Sequence, residues 1–480
     1  MTRPNWLNPI TTTIVASLVL SLIAWIGSTV NRDGMLYATA AHAYLDGGFA
    51  AAKALFSWPF LPVLMAWTSK LSGIDPESAG YLLNALFMAG TCALMVACVQ
   101  REKPELAWIT CLVVLALPGL NEYRNELLRE FGCWCFIMLS FWLALKWHER
   151  PTWLLAIAAQ ASLLIAALFR PEALTLYAAL TGWQLFASVD QRWRRLIVIS
   201  LLPLTGGLIL VTLYWSGHLG DGRLSGEFSR LSTDRFDAKA DIVATALIEY
   251  ARGNAKQVLF WGSLALIPIK LIEKFGIFLA PLCFYFTFRK HYNLGALGLL
   301  FLSAIAVYLL VLAVFVTDLQ FLAGRYVGPV LLFSTPFIAI AVHDCGNRWP
   351  KLQKPALAAA TIMVLANVIS TGPGKAYFAE AATWLVNNAP STSRVYIDSQ
   401  RTVYHAHWQN TPSLLRPRND LGAITDAAKS GNFDLMVLER SRKDESITER
   451  LRQEYQMTIV ARFGTPGKDE VIIFRHTGNK

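Results

Sequence analysis

"SLIAWIGSTVNRDGMLYATAAHAYLDGG" (residues 21–48) passes directly from an apolar run into a polar stretch, with Asp33 three residues beyond the last apolar position, Val30. A bilayer-crossing helix needs roughly 20 mostly apolar residues at about 1.5 Å rise each, and the segment centred near residue 20 supplies them. Asp33 then stands at the mouth of that helix, partly shielded from bulk water. A carboxylate in such a place has an adjustable pKa and suits a general base. Tyr37 follows at i+4 and Tyr44 at i+11, so all three fit one face of a second helix. The alternative is that Asp33 caps a helix beginning at Gly34, although Leu36 stands where a capping box would need Glu or Gln. The pattern leaves both roles open.

The same apolar character runs through the chain. Its 480 residues are 54% hydrophobic and 16% charged, with 16 Trp and a mean hydropathy of +0.40, which is too apolar for a soluble globular protein. The class is a mainly α, polytopic membrane protein. We place about 11 spans, centred near residues 20, 89, 112, 139, 161, 180, 205, 281, 305, 336 and 363. Alternate loops are basic: Arg3, "REKPE" (101–105), "KWHER" (146–150), "DQRWRR" (190–195), "FRKH" (288–291) and "HDCGNRWPKLQK" (343–354). By the positive-inside rule these face the cytoplasm, which puts the N-terminus inside and everything after about residue 372 outside. The first run lacks an A-x-A-like cleavage site, so it reads as a span rather than a removed signal.

The net charge of +10 does not imply nucleic acid, because topology already accounts for the basic loops. Seven cysteines fall in spans or in one cytoplasmic loop and none beyond residue 372, so neither a disulfide framework nor a cysteine metal site is expected.

Two domains are expected: residues 1–372 in the membrane, with outside loops 31–78, 119–130 and 215–258, and an outside α/β domain over 373–480. The loop 215–258 continues into the amphipathic "VLFWGSLALIPIKLIEKFG", suited to the membrane surface. The C-terminal region reads as a helix (376–389), strand (394–398), helix (400–408), strand (433–439), charged helix (442–456) and strands 457–463 and 471–476. "GTPG" (464–467) reads as a hairpin turn, not a nucleotide loop. Without an internal repeat, an inverted-repeat transporter is a weaker reading.

"RDGMLYATAAHAYLDGGF" followed by "LFSWPFLPVLMAWTSKLSG" (55–73) resembles the first outside loop of polytopic glycosyltransferases of the GT-C superfamily, in particular the bacterial branch of lipid A aminoarabinose transferases and protein O-mannosyltransferases. Asp33, Tyr37 and Gly47-Gly48 match that pattern. Its Lys-Pro-Pro element does not: "SWPFLP" (57–62) stands there, leaving Lys53 as the substitute candidate for a phosphate-gripping lysine. "YRNELLREFGCWCF" (123–136) resembles the second outside loop, with Glu130 as its acid beside Arg129. "LFRPEAL" (168–174) resembles an arginine-plus-acid turn, Arg170 with Glu172, and "GRYVGP" (324–329) an Arg-Tyr pair, Arg325 with Tyr326.

The resemblance implies a sugar donor carried on polyprenyl phosphate and a glycan, lipid or protein acceptor outside a bacterial inner membrane. Asp33 takes the acceptor proton, with Glu130 as second acid. Arg129, Arg170, Arg325 and Lys53 hold the donor phosphate, and Tyr37, Tyr44, Arg124, Glu172 and Tyr326 line the substrate. Arginine suits bidentate phosphate recognition. A charge at the edge of an apolar span is costly when idle, which favours function for Arg170 and Arg325. Arg124 taken singly reads better as a loop charge paired with glutamate. A departing phosphate needs no general acid, so one carboxylate suffices. No Asp-x-Asp or His-rich set accompanies Glu130, so no obligatory metal is expected, a divalent cation at Glu130 being the lesser alternative. His42 reads as a packed or surface histidine rather than a site residue, and metal binding by His405 with His407, without a nearby carboxylate signature, is the lesser reading. We expect a monomer. Rival readings are an O-antigen ligase or polymerase, a lipid-linked oligosaccharide flippase or transporter, and a noncatalytic scaffold.

Overall fold

The structure, a computed structural model, describes residues 8–26, 28–187, 191–216, 234–288, 294–369, 375–390, 393–408, 414–415, 421–440, 445–465 and 469–476. It divides into two compact units. The first holds residues 8–26 and 37–369; the second holds 28–36 and 375–476.

The first unit is helical, and its helices begin where side-chain acceptors and proline permit. Asn8 accepts from Thr11 N at 2.8 Å to cap Pro9–Trp25, and Asp75 accepts from Ser78 N at 2.9 Å to cap Pro76–Glu102. Pro76–Glu102 packs against Pro9–Trp25 and Glu130–Glu149, the latter against Trp153–Phe169, and Gly295–Leu319 against Leu176–Ala187 and Gly328–Arg348. Each of the 11 predicted centres falls inside a helix. Only four helices among the described residues are long and apolar enough to cross a membrane by length and composition: Pro76–Glu102, Glu130–Glu149, Gly295–Leu319 and Gly324–Arg348. The architecture is that of a membrane protein, and the count of 11 spans is not shown. Leu299, Leu302, Leu310 and Val314 are exposed along one of these helices, as lipid contact requires.

Polar groups inside this unit are satisfied locally. Pro203 interrupts helix Arg192–Trp215, and beside it Gln160 donates to Val198 O at 3.0 Å while its amide oxygen accepts from Leu202 N at 2.9 Å. The amide thus stands between two backbone groups of the interrupted helix. Tyr177 Oη closes the set by donating to Gln160 O at 2.6 Å.

The amphipathic stretch after residue 255 is a helix, Ala255–Phe275. Of the polar stretch 221–241, residues 221–233 lie outside the described residues, and helix Asp234–Ala246 begins at the end of it.

The second unit is an α/β sheet. Its strands are β1 (Val395–Ile397), β2 (Leu414–Leu415), β3 (Leu435–Arg440), β4 (Met457–Gly464) and β5 (Glu470–His476), in the order β2-β1-β3-β5-β4. β1 runs parallel to β2 and β3, and β5 antiparallel to β3 and β4. Alternation along the strands divides the core between two faces. Val395, Ile397, Leu435 and Val437 meet helices Tyr377–Asn388 and Gln400–His405 on one side. Tyr396, Met436 and Leu438 meet Leu421–Ser430 and Glu445–Gln453 on the other. The sequence reading missed β2 and the helix Leu421–Ser430. The predicted "GTPG" turn joins antiparallel β4 and β5, with residues 466–468 outside the described set.

Gln160→Leu leaves Leu202 N–H and the Val198 carbonyl without their side-chain partner, at a cost of about 1–3 kcal/mol. The detergent-solubilised variant is expected to melt several degrees below wild type; an unchanged midpoint contradicts this role.

Candidate active site

Charged side chains from separate parts of the sequence converge in the first unit because helices end beside one another there. Helix Trp153–Phe169 stops at Arg170, whose backbone is extended (φ −145°, ψ 115°), as the following Pro171 favours. Phe169, the last helical residue, is fully buried, and a Cβ on Gly132 would lie 2.3 Å from its ring. Glycine two residues after Glu130 therefore lets Phe169 close against the start of Glu130–Glu149 and brings Arg170 to Glu130. A similar approach occurs at Gly328, where a Cβ would lie 2.3 Å from Trp134. That contact holds the 3-10 turn Gly324–Val327, and with it Arg325, against the same helix.

Arg170 Nη1 pairs with Glu130 Oε1, its Nε and Nη2 pair with Glu172 Oε1, and Arg325 Nε lies 3.4 Å from Glu130 Oε1. The Glu130 side chain is only 4% exposed, and its second oxygen has no hydrogen-bond donor among the described residues. Tyr326 lies under both cations, 4.8 Å from the Arg170 guanidinium carbon and 5.5 Å from that of Arg325. Between these groups is a small pocket lined by Glu130, Arg170, Glu172, Arg325, Tyr308 and Trp134.

Burial, the largest single influence on Glu172, raises its pKa, yet the Arg170 guanidinium, its own backbone amide and Arg129 together hold the carboxyl below its usual value. For Arg170 burial opposes the charge, and Glu172 and Glu130 outweigh it, raising the pKa well above normal. Arg129, Arg170 and Arg325 set against Glu130 and Glu172 leave a formal surplus of one positive charge.

The other candidates are placed as follows. Asp33 lies in the first turn of helix Arg32–Leu55, within the helix rather than at the cap position, where a negative charge is stabilised by the helix dipole. The helix remains continuous through Tyr37 and Tyr44 and loses helical geometry at Gly48 (φ 71°). Tyr37 is buried, with its ring 5.3 Å from Phe56, and the Arg129 guanidinium lies 5.7 Å from the same Phe56 ring. Arg129 Nη1 has no acceptor among the described residues. Tyr44 Oη accepts from Trp67 Nε1 at 2.9 Å.

One expectation needs correction, and one further candidate lies outside the pocket lining. Arg124 does not line the cavity, and its partners are not glutamates: it is buried and donates to Asn121 Oδ1 at 2.9 Å, Ser17 O and Oγ at 3.0 Å and Ser21 Oγ at 2.8 Å. Its Nη1 holds helix Pro9–Trp25 through Ser17 and Ser21, its Nε meets Asn121, and its Nη2 faces Cys92 Sγ at 3.9 Å. Lys53 follows the Gly48 break, is exposed, and does not line the cavity.

Sequence reasoning also passed over Tyr308, Trp134 and Lys274. Tyr308 is a lone hydroxyl within "AIAVYLLVLAV", a polar atom in an apolar span that is itself a signal. Lys274 bridges Glu122 at 2.8 Å and Glu273 at 3.1 Å, and a Cβ on Gly324 would lie 2.3 Å from its Cε. Nothing local in the sequence announces that contact.

The Glu172 carboxyl is depressed in the folded chain, so its stabilising contribution is complete above its ordinary value of 4.5 and is lost as pH falls through the depressed one. Wild type is therefore expected to lose thermal stability below about pH 4.5 more steeply than Glu172→Gln, measured by melting in detergent. Parallel pH profiles contradict the pairing.

No protein-family model matches the chain, and no curated protein matches its sequence. In fold it is similar to ArnT from Cupriavidus metallidurans, solved as a crystal structure in the apo state, with a TM-score of 0.56 at 13% identity over 96% of this chain and 97% of that one. The resemblance to GT-C polytopic glycosyltransferases read from residues 32–73 and the later motifs is thus met by the fold of the whole chain.

Proposed function

We propose that the chain is an inverting glycosyltransferase of a bacterial inner membrane, moving a sugar from a polyprenyl-phosphate donor to an acceptor at the periplasmic face. The observation that carries this reading is the pairing of Arg170 and Arg325 on buried Glu130, beside a cavity at the ends of apolar helices. Polyprenyl chains dissolve only in the bilayer, so the donor phosphate must be met at such an interface. A phosphodiester carries one negative charge and matches the surplus of three guanidiniums over two carboxylates. The basic loops on the opposite side assign that side to the cytoplasm. The ArnT-like fold supports a lipid-linked donor and a membrane setting.

In the reaction the acceptor oxygen attacks the anomeric carbon as its proton passes to Asp33. The bond from that carbon to the phosphate oxygen breaks, and polyprenyl phosphate leaves as an anion neutralised by Arg170 and Arg325. A single displacement inverts the anomeric centre. Glu130 and Glu172 hold the guanidiniums in fixed orientation, so little reorganisation accompanies charge development. Tyr308, Trp134 and Tyr326 shape the sugar pocket. The positive charge comes from arginine, and the step requires no metal. The acceptor is lipopolysaccharide, another surface glycan, a lipid-linked saccharide or a secreted protein.

Purified protein given synthetic polyprenyl-phosphate sugars is expected to transfer sugar. Asp33→Asn is expected to abolish turnover while donor binding persists, and retained turnover removes Asp33 from the base role. For Arg325→Ala, loss of one charge-assisted contact weakens donor binding by about tenfold or more. Unchanged donor affinity contradicts the phosphate role.

A further inference from the structure

The second unit contains a set of charges that the proposed reaction does not use. The chain leaves β1 for helix Gln400–His405 on one face of the sheet, and leaves β3 for helix Glu445–Gln453 on the other. The carboxyl ends of adjacent parallel strands followed by helices on opposite faces are the usual ligand position in open α/β sheets. At those ends stand Asp398 and Ser399 after β1, and Glu439 and Arg440 in β3.

Arg440 is 6% exposed. Its Nη1 is committed to Asp398 Oδ2 at 2.9 Å and to the Glu439 carbonyl at 2.6 Å. Its Nε and Nη2 are both buried and have no acceptor among the described residues. These two atoms form the side-on edge of the guanidinium, the edge that meets an oxyanion through two parallel hydrogen bonds. Arg401 repeats the deficit: its Nε is buried without an acceptor among the described residues, while its guanidinium lies 4.9 Å from the Phe378 ring and 3.9 Å from Glu439 Oε1. Arg32, in the same unit, approaches the same oxygen at 3.5 Å. Ser399 Oγ donates to Glu439 Oε2 at 3.4 Å. Two arginines thus share one carboxylate at distances too long to satisfy either.

Buried donors without acceptors are costly, and the pairing of Nη1 with Asp398 accounts for the charge of Arg440 but not for its Nε and Nη2. Three guanidiniums against Asp398 and Glu439 leave one positive charge, and the unmet donors, Arg440 Nε and Nη2 and Arg401 Nε, outnumber the one carboxylate oxygen lacking a hydrogen bond, Asp398 Oδ2. We propose that the carboxyl edge of β1 and β3 is a binding site for a phosphomonoester, held by the Nε/Nη2 edge of Arg440 and by Arg401. The buried donors require a small opening of this edge on binding. The site is built from residues of the second unit alone and takes its phosphate from a soluble ion or sugar phosphate, or from a lipid headgroup.

Hydrogen exchange on the full-length protein resolves this site from any other that binds phosphate. Inorganic phosphate, at constant ionic strength against chloride, is expected to slow exchange over residues 435–440 and around 398–401 in wild type. Arg440→Lys keeps the charge and removes the fork, and is expected to weaken the effect about tenfold or more. Arg401→Gln leaves the Asp398 pair intact and weakens it in the same direction. Protection only in nanodiscs carrying diacylglycerol phosphate, and not in phosphatidylcholine alone, identifies the headgroup as the source and supports the site. Absence of protection with either probe, or protection unchanged in both variants, overturns it.

Discussion

The membrane unit depends on placing Glu130, Arg170, Glu172 and Arg325 out of water at the ends of apolar helices. Each charge buried alone costs several kcal/mol, and only mutual pairing makes the arrangement tolerable. The pairing is shared: one Glu130 oxygen meets both Arg170 and Arg325, while Arg170 also meets Glu172. Loss of any member strands another. Four helices' ends are thereby fixed relative to one another by a network that apolar residues of similar size would build more cheaply.

Close approach makes the network possible. Gly132 admits Phe169, Gly328 admits Trp134, and Pro171 turns the chain so that Arg170 leaves its helix towards Glu130. The aromatic rings around Phe169, which include Phe60 at 4.9 Å and Phe87 at 5.3 Å, make that end rigid. Arg124 and Arg170 are both buried cations, in different surroundings. Its donors meet serine hydroxyls, an amide and a carbonyl, and the residue fastens helix Pro9–Trp25 to the following loop. Arg170 instead faces a cavity with a partly unsatisfied carboxylate beside it.

The sequence shows the membrane class, the helix centres and most of the C-terminal strands because these follow from hydrophobic periodicity, which is local. It also exposes Glu130, Arg170, Glu172 and Arg325 as charges at span edges, where an unused charge is improbable. Other features depend on contacts between distant segments. Arg124 looked like a loop charge because its serine partners lie over a hundred residues away. Lys53 sat near a plausible motif, but the break at Gly48 intervenes and its side chain is exposed. Lys274 reaches Glu122 and Gly324 only through packing. The short β2 strand, Leu414–Leu415, carries too few residues to show alternation.

The central claim is that Arg170 and Arg325, fixed by Glu130, receive the phosphate of a lipid-linked sugar. The most direct measurement is a cryo-electron microscopy map of the protein in nanodiscs with polyprenyl phosphate bound. Density for the phosphate within hydrogen-bond distance of both guanidiniums is the expected result. A phosphate bound elsewhere, with the Glu130–Arg170–Arg325 pairing undisturbed, contradicts it.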